Sequence, residues 1–257
     1  MLRLTATRIG YGTVGVAALA LTFGFAFGAP AVTWLWPWPD GPLSYLFVAS
    51  ILAAFGVGGL LVALTRDWRA AAGGGIALLA GFGAMAAALA LRGATGHALG
   101  FAAVAAAGAA MLHWALRETA RDARGLPPVV RASFVVFSLA LLSAGVALVF
   151  GAPHIFPWPL KPETSLLYGF MFLGLFLNYL YVALRGTWSD VKVSLLGFLA
   201  YDLVLIGPFL KHFARVPADH RLSLVIYTAV LVYSGALAIA YLVLSPRWRL
   251  GAASAAG

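Results

Sequence analysis

The sequence predicts an all-α, polytopic membrane protein with eight transmembrane helices, arranged as two parallel four-helix repeats. Three observations predict this fold class. Of the 257 residues, 63% are hydrophobic and only 10% are charged, whereas soluble domains carry about a quarter charged residues. Eight apolar runs are each long enough to cross a hydrocarbon core of about 30 Å. Motifs of the first half also recur in the second half.

The apolar runs follow one another with short polar loops between them. They lack the period-two alternation of membrane β-barrel strands, so helices that satisfy their own backbone hydrogen bonds are expected. The predicted spans are residues 9–29, 43–64, 70–91, 97–116, 132–152, 165–184, 191–210 and 222–244. The first run resembles a secretory signal. Its counterpart in the second half cannot be one, so the first span is expected to be retained.

An internal repeat relates the two halves. The tetrapeptide Phe-Gly-Ala-Pro at residues 27–30 returns at 150–153, and the turn Pro-Trp-Pro at 37–39 returns at 157–159. At a constant offset of 120 residues, ten of the 33 positions from 37 to 69 match. Because each half has four helices, the second half enters the membrane in the same orientation as the first. The repeats are therefore predicted to be parallel, related by an axis along the membrane normal.

The loops predict the organisation and the orientation. The first repeat is predicted at residues 1–117, a cytoplasmic linker at 118–131, the second repeat at 132–248 and a small-residue tail at 249–257. With the N-terminus inside, twelve Lys and Arg residues are cytoplasmic and five are outside, which is the positive-inside bias. Both termini are thus predicted to be cytoplasmic, in the cytoplasmic (inner) membrane of a bacterium. The net charge of +9 is assigned to topology and anionic lipid headgroups, not to nucleic acid.

One acidic residue, Asp202, falls well inside the seventh predicted span, where an unpaired carboxylate is costly. A proton or cation relay is one interpretation, and a hydrogen bond between helices is the other. The repeat equivalent is Phe82 and no second carboxylate accompanies Asp202, which favours the structural interpretation. The candidate polar partners are Tyr201, Asn178, Tyr168 and Tyr179.

Tryptophans cluster at the predicted outer aromatic turns. They are Trp34, Trp36, Trp38 and Trp158. An aromatic belt beside a rigid proline turn is the favoured interpretation, because interfacial Trp commonly serves that role. A lid over an outward-facing groove is the alternative.

Four histidines are predicted at the outer ends of helices or in outer loops. They are His97, His154, His212 and His220. A zinc or copper site needs several converging imidazoles, with or without a carboxylate such as Glu163 or Asp219. No pair has the i,i+3 or i,i+4 spacing that would form a chelate on one helix. Titratable interface histidines are therefore favoured over a metal site.

Signatures of common enzymes are missing from the sequence. It contains no P-loop, no dinucleotide-binding glycine pattern, no nucleophile elbow and no His-Glu-x-x-His. It has no cysteine, which excludes disulfides and thiol nucleophiles. No enzymatic activity and no cofactor are expected.

The turn Pro-Trp-Pro-Leu at residues 157–160 precedes a polar cap and an aromatic membrane helix. This arrangement resembles a set of uncharacterised multi-pass membrane proteins of high-GC bacteria that carry a related turn. The resemblance covers mainly residues 157–188 and implies no activity.

Three functions are compatible with these features of the sequence. The first is an accessory or structural protein that packs against another membrane component, in line with scarce polar groups and abundant small residues. The second is a small proton- or cation-coupled transporter or permease that uses Asp202. The third, an intramembrane enzyme or metal-binding oxidoreductase, depends only on the histidines. Partners beyond the lipid bilayer are expected to be other membrane protein subunits.

Overall fold

The computed structural model describes residues 2–250, with side chains from residue 7 onward. Met1 and residues 251–257 of the predicted tail lie outside the described residues. Within residues 2–250 the regular structure is entirely helical, and eight helices are long and apolar enough to cross a membrane. They are α1 (Leu2–Ala26), α2 (Pro42–Thr65), α3 (Trp68–Leu91), α4 (Thr95–Ala115), α5 (Pro128–Val149), α6 (Pro162–Arg185), α7 (Trp188–His212) and α8 (Ala218–Leu244). The protein is thus an integral, multi-pass membrane protein.

Prolines mark where several helices begin. Pro42, Pro128 and Pro162 each occupy the first turn of their helix, where the missing N–H costs nothing and the fixed φ suits the helix. For α5 this moves the start from the predicted residue 132 back to Pro128, because Pro127 is extended and Pro128 opens the helix.

The repeated Phe-Gly-Ala-Pro motif ends α1 and α5 in the same way. Gly28 and Gly151 have φ angles of 62° and 69°, a region that glycine enters without a Cβ penalty. The following amides, of Ala29 and Ala152, each donate to a carbonyl five residues earlier at 2.8 Å. This is the Schellman arrangement of a helix C-terminus, so the motif recurs because the same cap is built twice.

Glycines set the closest helix crossings. A Cβ atom built on Gly75 would lie 2.8 Å from the backbone nitrogen of Leu112, and one on Gly174 would lie 2.7 Å from the carbonyl oxygen of Ala77. Neither position therefore has room for a side chain. The first contact fixes α3 against α4, and the second fixes α6 against α3, as small residues do in lipid.

The helices pack in a pattern that links the halves. Within the halves, α1 packs on α2, α3 on α4, α5 on α6 and α7 on α8. Between the halves, α2 packs on α7 and α6 packs on α3. The second helix of each half thus contacts the third helix of the other half. A two-fold relation between the halves would produce this exchange, and the superposition of the repeats stays a prediction.

Two ends of the bundle carry its polar groups. The turn end holds residues 27–41, 150–161 and 213–217, and includes both Pro-Trp-Pro turns. The linker end holds residues 66–67, 116–127 and 186–187, and includes the connection between the halves. The sequence predicts the turn end outside and the linker end in the cytoplasm.

Candidate functional site

At the turn end, the second Pro-Trp-Pro turn and the start of α6 are bonded to the end of the first turn and the start of α2. The Thr164 hydroxyl donates to the Asp40 carboxylate, and the Trp158 indole N–H donates to the Ser44 hydroxyl at 3.1 Å. The Tyr168 hydroxyl donates to the Ser44 carbonyl oxygen at 2.7 Å. These bonds fasten the second turn and α6 to the first turn and α2.

The tryptophans of these turns do not all stand in a belt. Trp36 and Trp158 are buried, at 6% and 7% exposure, while Trp34 is exposed at 65%. Trp38 is half-buried. Trp158 packs edge-on against Phe156, with ring centroids 5.1 Å apart. The belt interpretation is therefore wrong for Trp36 and Trp158, because their rings fill the aromatic core below the turns.

Phe156 is the centre of that aromatic core. Its ring centroid lies 4.9 Å from that of Phe47, 5.1 Å from that of Tyr168 and 5.3 Å from that of Tyr227. These rings come from α2, α6 and α8, so three helices and a loop meet at one point. The two turns thus cover a packed aromatic core. The side chains below them do not form the outward-facing groove that a lid would close.

The structure brings two of the four predicted histidines together. The ligand atoms of His154, Asp219 and His220 all lie within 4.8 Å of one another. His97 instead lies 3.1 Å from the carbonyl oxygen of Trp34. His212 lies 3.0 Å from the carbonyl oxygen of Pro157. Of the four histidines predicted at the outer side, His154 and His220 therefore converge, whereas His97 and His212 each contact a backbone carbonyl oxygen elsewhere.

Asp202 lies in α7 and is 7% exposed. Within the described residues, its carboxylate accepts a hydrogen bond from Ser234 of α8 and from none of the partners predicted from the sequence. The Ser234 hydroxyl lies 3.0 and 3.1 Å from the two carboxylate oxygens. The same hydroxyl is 2.8 Å from the carbonyl oxygen of Val230. Sequence reasoning missed Ser234 because a serine in an apolar helix gives no sign of which neighbour it faces.

Three of the predicted partners, Asn178, Tyr201 and Tyr168, make other contacts. The Asn178 amide oxygen fills the space beside Gly73 of α3, where a Cβ would lie 2.0 Å from it. The Tyr201 ring packs edge-on against Phe47 at 6.2 Å. Tyr168 bonds the Ser44 carbonyl oxygen.

A small, partly open pocket of about 10 Å³ lies between α2, α3 and α6, which is at the lower limit for holding one water. Its lining side chains are all apolar: Ile51, Phe55, Ala77, Phe82, Met85, Met171 and Leu175, with Gly81. Asp202 is not among them. The pocket therefore does not reach the carboxylate.

At the linker end, a buried polar network joins the linker to both halves. The hydroxyl of Ser189 donates to the Asp67 carboxylate and accepts the Asp122 backbone N–H at 3.0 Å. Asp67, Asp122 and Ser189 are 5%, 3% and 1% exposed. The network therefore ties the α2–α3 loop, the linker and the start of α7 together.

The same network holds an ion pair. Arg124 bonds the Asp122 carboxylate through two nitrogens, at 2.8 and 2.7 Å, and Lys192 lies 3.4 Å from it. The Arg124 hydrogen bonds are the main reason that the pKa of Asp122 falls below its ordinary value of 3.8. In return, the hydrogen bond to Asp122 raises the pKa of Arg124.

Aromatic and capping contacts complete the linker end. The Arg124 guanidinium also lies 4.7 Å from the centre of the Trp248 ring, which packs against Trp188 at 4.7 Å. Thr187 and Asp190 form a capping box at the start of α7, a signal that the sequence pattern Thr-x-x-Asp contains. The linker therefore packs against the bundle through Asp122 and Arg124, while Arg121 and Arg131 are exposed.

No family model, curated protein or solved structure matches the sequence.

Proposed function

We propose that this integral membrane protein is a non-catalytic accessory protein that packs, through the exposed face of α4, against a transmembrane helix of another membrane protein. The observation that carries the proposal is an unused small-residue surface on α4. At Gly75 and Gly174, by contrast, a neighbouring helix of the same chain already occupies the space beside the glycine.

The α4 surface consists of small residues at helical spacing. Gly96, Gly100, Ala103, Ala107 and Ala110 are all exposed. No atom lies within 4 Å of a Cβ built on Gly96 or Gly100. Small residues three and four positions apart let a second helix approach closely, which is the main source of helix association in lipid.

The lipid-facing surface of α1 differs in a way that supports the choice of α4. It presents large side chains, among them Val14, Val16 and Phe23, at 59% to 68% exposure. Lipid chains cover such a surface well, but a helix backbone cannot approach it closely. On α4, every exposed position from 96 to 110 except Leu99 is glycine or alanine, so this surface is the better site for a partner helix.

The absence of enzymatic activity is part of the same proposal. The polar side chains of the linker end hold helices and loops together, and those of the turn end join the two turns. Structural hydrogen bonds of this kind account for their burial without a reaction.

Photocrosslinking in native membranes tests the proposal. A crosslinker placed at Leu99, on the exposed side of α4, is expected to give one adduct of discrete mass. Gly100→Leu should abolish that adduct, because the added side chain keeps a partner helix away. The matched control is Ala140→Leu, which adds the same side chain at an exposed position of α5 and should leave the adduct intact.

The outcomes separate the alternatives. An adduct of twice the mass of the chain would identify a second copy of this protein and overturn the assignment to a different partner. No adduct at Leu99 would overturn the accessory function itself. An adduct that persists in Gly100→Leu would show that α4 does not provide the packing surface.

The runner-up is a proton- or cation-coupled transporter that uses Asp202, and the carboxylate inside α7 is the observation that favours it. In the structural alternative, Asp202→Asn keeps the bond to Ser234 and changes little. Asp202→Leu removes the bond between α7 and α8, although the Ser234 hydroxyl can still donate to the Val230 carbonyl oxygen. The expected cost is no more than about 1–2 kcal/mol, since interhelical hydrogen bonds in membranes are modest. Loss of a measured proton or cation flux in Asp202→Asn, at unchanged thermal stability, would support transport.

A further inference from the structure

We propose that His154, Asp219 and His220 form a binding site for a divalent transition-metal ion, with Zn²⁺ as the expected occupant, at the turn end of the bundle. The site is independent of the α4 surface. It combines two imidazoles and one carboxylate from two chain segments: His154 lies in the loop after α5, and Asp219 and His220 lie in the first turn of α8.

His220 is already oriented as a metal ligand. Its ring is buried, and Nδ1 lies 2.7 Å from the carbonyl oxygen of Phe156. A carbonyl oxygen can only accept, so Nδ1 carries a proton, and in the neutral ring the free lone pair is on Nε2. Nε2 faces Asp219, 4.0 Å from a carboxylate oxygen. A histidine that ligates a metal typically donates its other N–H to such a carbonyl oxygen, which fixes the ring and the tautomer.

His154 is held in place by its backbone. Its φ angle is 59°, a left-handed value that is uncommon for residues other than glycine. The Ser223 hydroxyl of α8 donates to the His154 carbonyl oxygen, which fixes the loop against the helix. The His154 ring then meets the His220 ring edge-on, with centroids 4.9 Å apart. Its Nδ1 atom lies 3.4 Å from the Asp219 carboxylate.

The donor spacing suits a tetrahedral ion. With bonds of about 2.0–2.1 Å to nitrogen and oxygen, two ligand atoms of a tetrahedral zinc are about 3.3 Å apart. The His154–Asp219 separation of 3.4 Å already has this value. The His220–Asp219 separation of 4.0 Å exceeds a hydrogen bond, and small side-chain rotations would shorten it onto an ion.

Exposure leaves room for a fourth ligand. The side chains of His154 and Asp219 are 48% and 57% exposed, so water can reach the centre of the cluster from the turn end. Three protein ligands and an open position are typical of zinc sites that exchange a water or bind a further group. A mixed imidazole and carboxylate set suits Zn²⁺ and Cu²⁺ and disfavours Ca²⁺ and Mg²⁺.

The experiment uses the tag-free full chain in detergent, stripped with a chelator, and titrates it with Zn²⁺ by calorimetry. Co²⁺ serves as a second probe, because its visible spectrum reports the coordination geometry. His154→Asn is the first variant, chosen because asparagine tolerates a positive φ angle. Asp219→Asn is the second. The matched control is His97→Asn. His97 also bonds a backbone carbonyl oxygen, but it does not belong to the cluster of His154, Asp219 and His220.

We expect one Zn²⁺ per chain for the parent protein and for His97→Asn. Both ligand variants should bind at least about 100-fold more weakly, which is the upper end of the loss caused by removing a supporting hydrogen bond alone. Thermal unfolding without metal, compared with the parent, checks that each variant folds. The proposal is wrong if the parent shows no saturable binding, if both ligand variants keep it, or if His97→Asn weakens it equally.

Discussion

Removal of the Asp122 charge should open the linker between the two halves. In Asp122→Asn the side chain keeps its shape but loses its negative charge, which holds Arg124 through bonds of 2.7 and 2.8 Å. Hydrogen bonds to a charged group contribute about 1.5–3 kcal/mol each. The Arg124 side chain is 20% exposed and the amide can still accept one bond, so we expect a net loss of about 1.5–3 kcal/mol for the pair.

Limited trypsin digestion measures this loss, because the linker carries its own cleavage sites. Cleavage after Arg124 requires the linker to leave the bundle, and its rate follows the population of the open form when closing is faster than cutting. A loss of about 1.5–3 kcal/mol corresponds to cleavage about 10- to 100-fold faster. The rate should be normalised to that of a free peptide of residues 117–131 with the same substitution.

Glu118→Gln is the matched control. Glu118 lies in the same linker and loses the same charge, but it takes part in none of the bonds of the linker-end network. Its cleavage rate after Arg124 should stay within about twofold of the parent rate, as for surface substitutions generally. Equal rates for Asp122→Asn and the parent would refute the reasoning, because the ion pair would then not hold the linker.

Three further predictions concern the ends of the bundle. The pKa of Asp122 is lowered in the folded protein, so the stability that this carboxylate contributes is complete above about pH 5 and is lost as the pH falls through 3.8 and below. Over that pH range, the thermal midpoint of the parent protein should therefore fall more than the thermal midpoint of Asp122→Asn. Cysteines placed at Thr119 and Lys161 should label from the cytoplasm and from outside respectively, and the reverse pattern would overturn the orientation. Gly151→Ala should lower the free energy of unfolding by about 1–2 kcal/mol, because the φ angle of 69° at this position is unfavourable for alanine. No atom lies within 4 Å of the added Cβ, so a clash would not cause the loss. An unchanged stability would contradict the assignment of Gly151 to the helix cap.

The sequence by itself determined the number and approximate limits of the membrane helices. Apolar runs are a local property, and lipid forces each of them to close its own hydrogen bonds as a helix. Local signals also mark helix ends, as Pro128 and Thr187 show, where the structure begins a helix earlier than hydropathy alone suggested. The parallel repeat and the cytoplasmic placement of the termini stay predictions, because they depend on superposition and on the two sides of the membrane.

The tertiary structure alone decided which polar groups meet. Asp202 faces Ser234, and His154 faces His220 across 66 positions of chain, because helix packing sets the rotation of each helix. A pattern of apolar residues around a lipid-embedded helix says little about that rotation, since lipid and core accept the same side chains. The burial of Asp122 and Trp158 has the same origin: loops that look solvated or interfacial in sequence are placed on the core by helices far away in the chain.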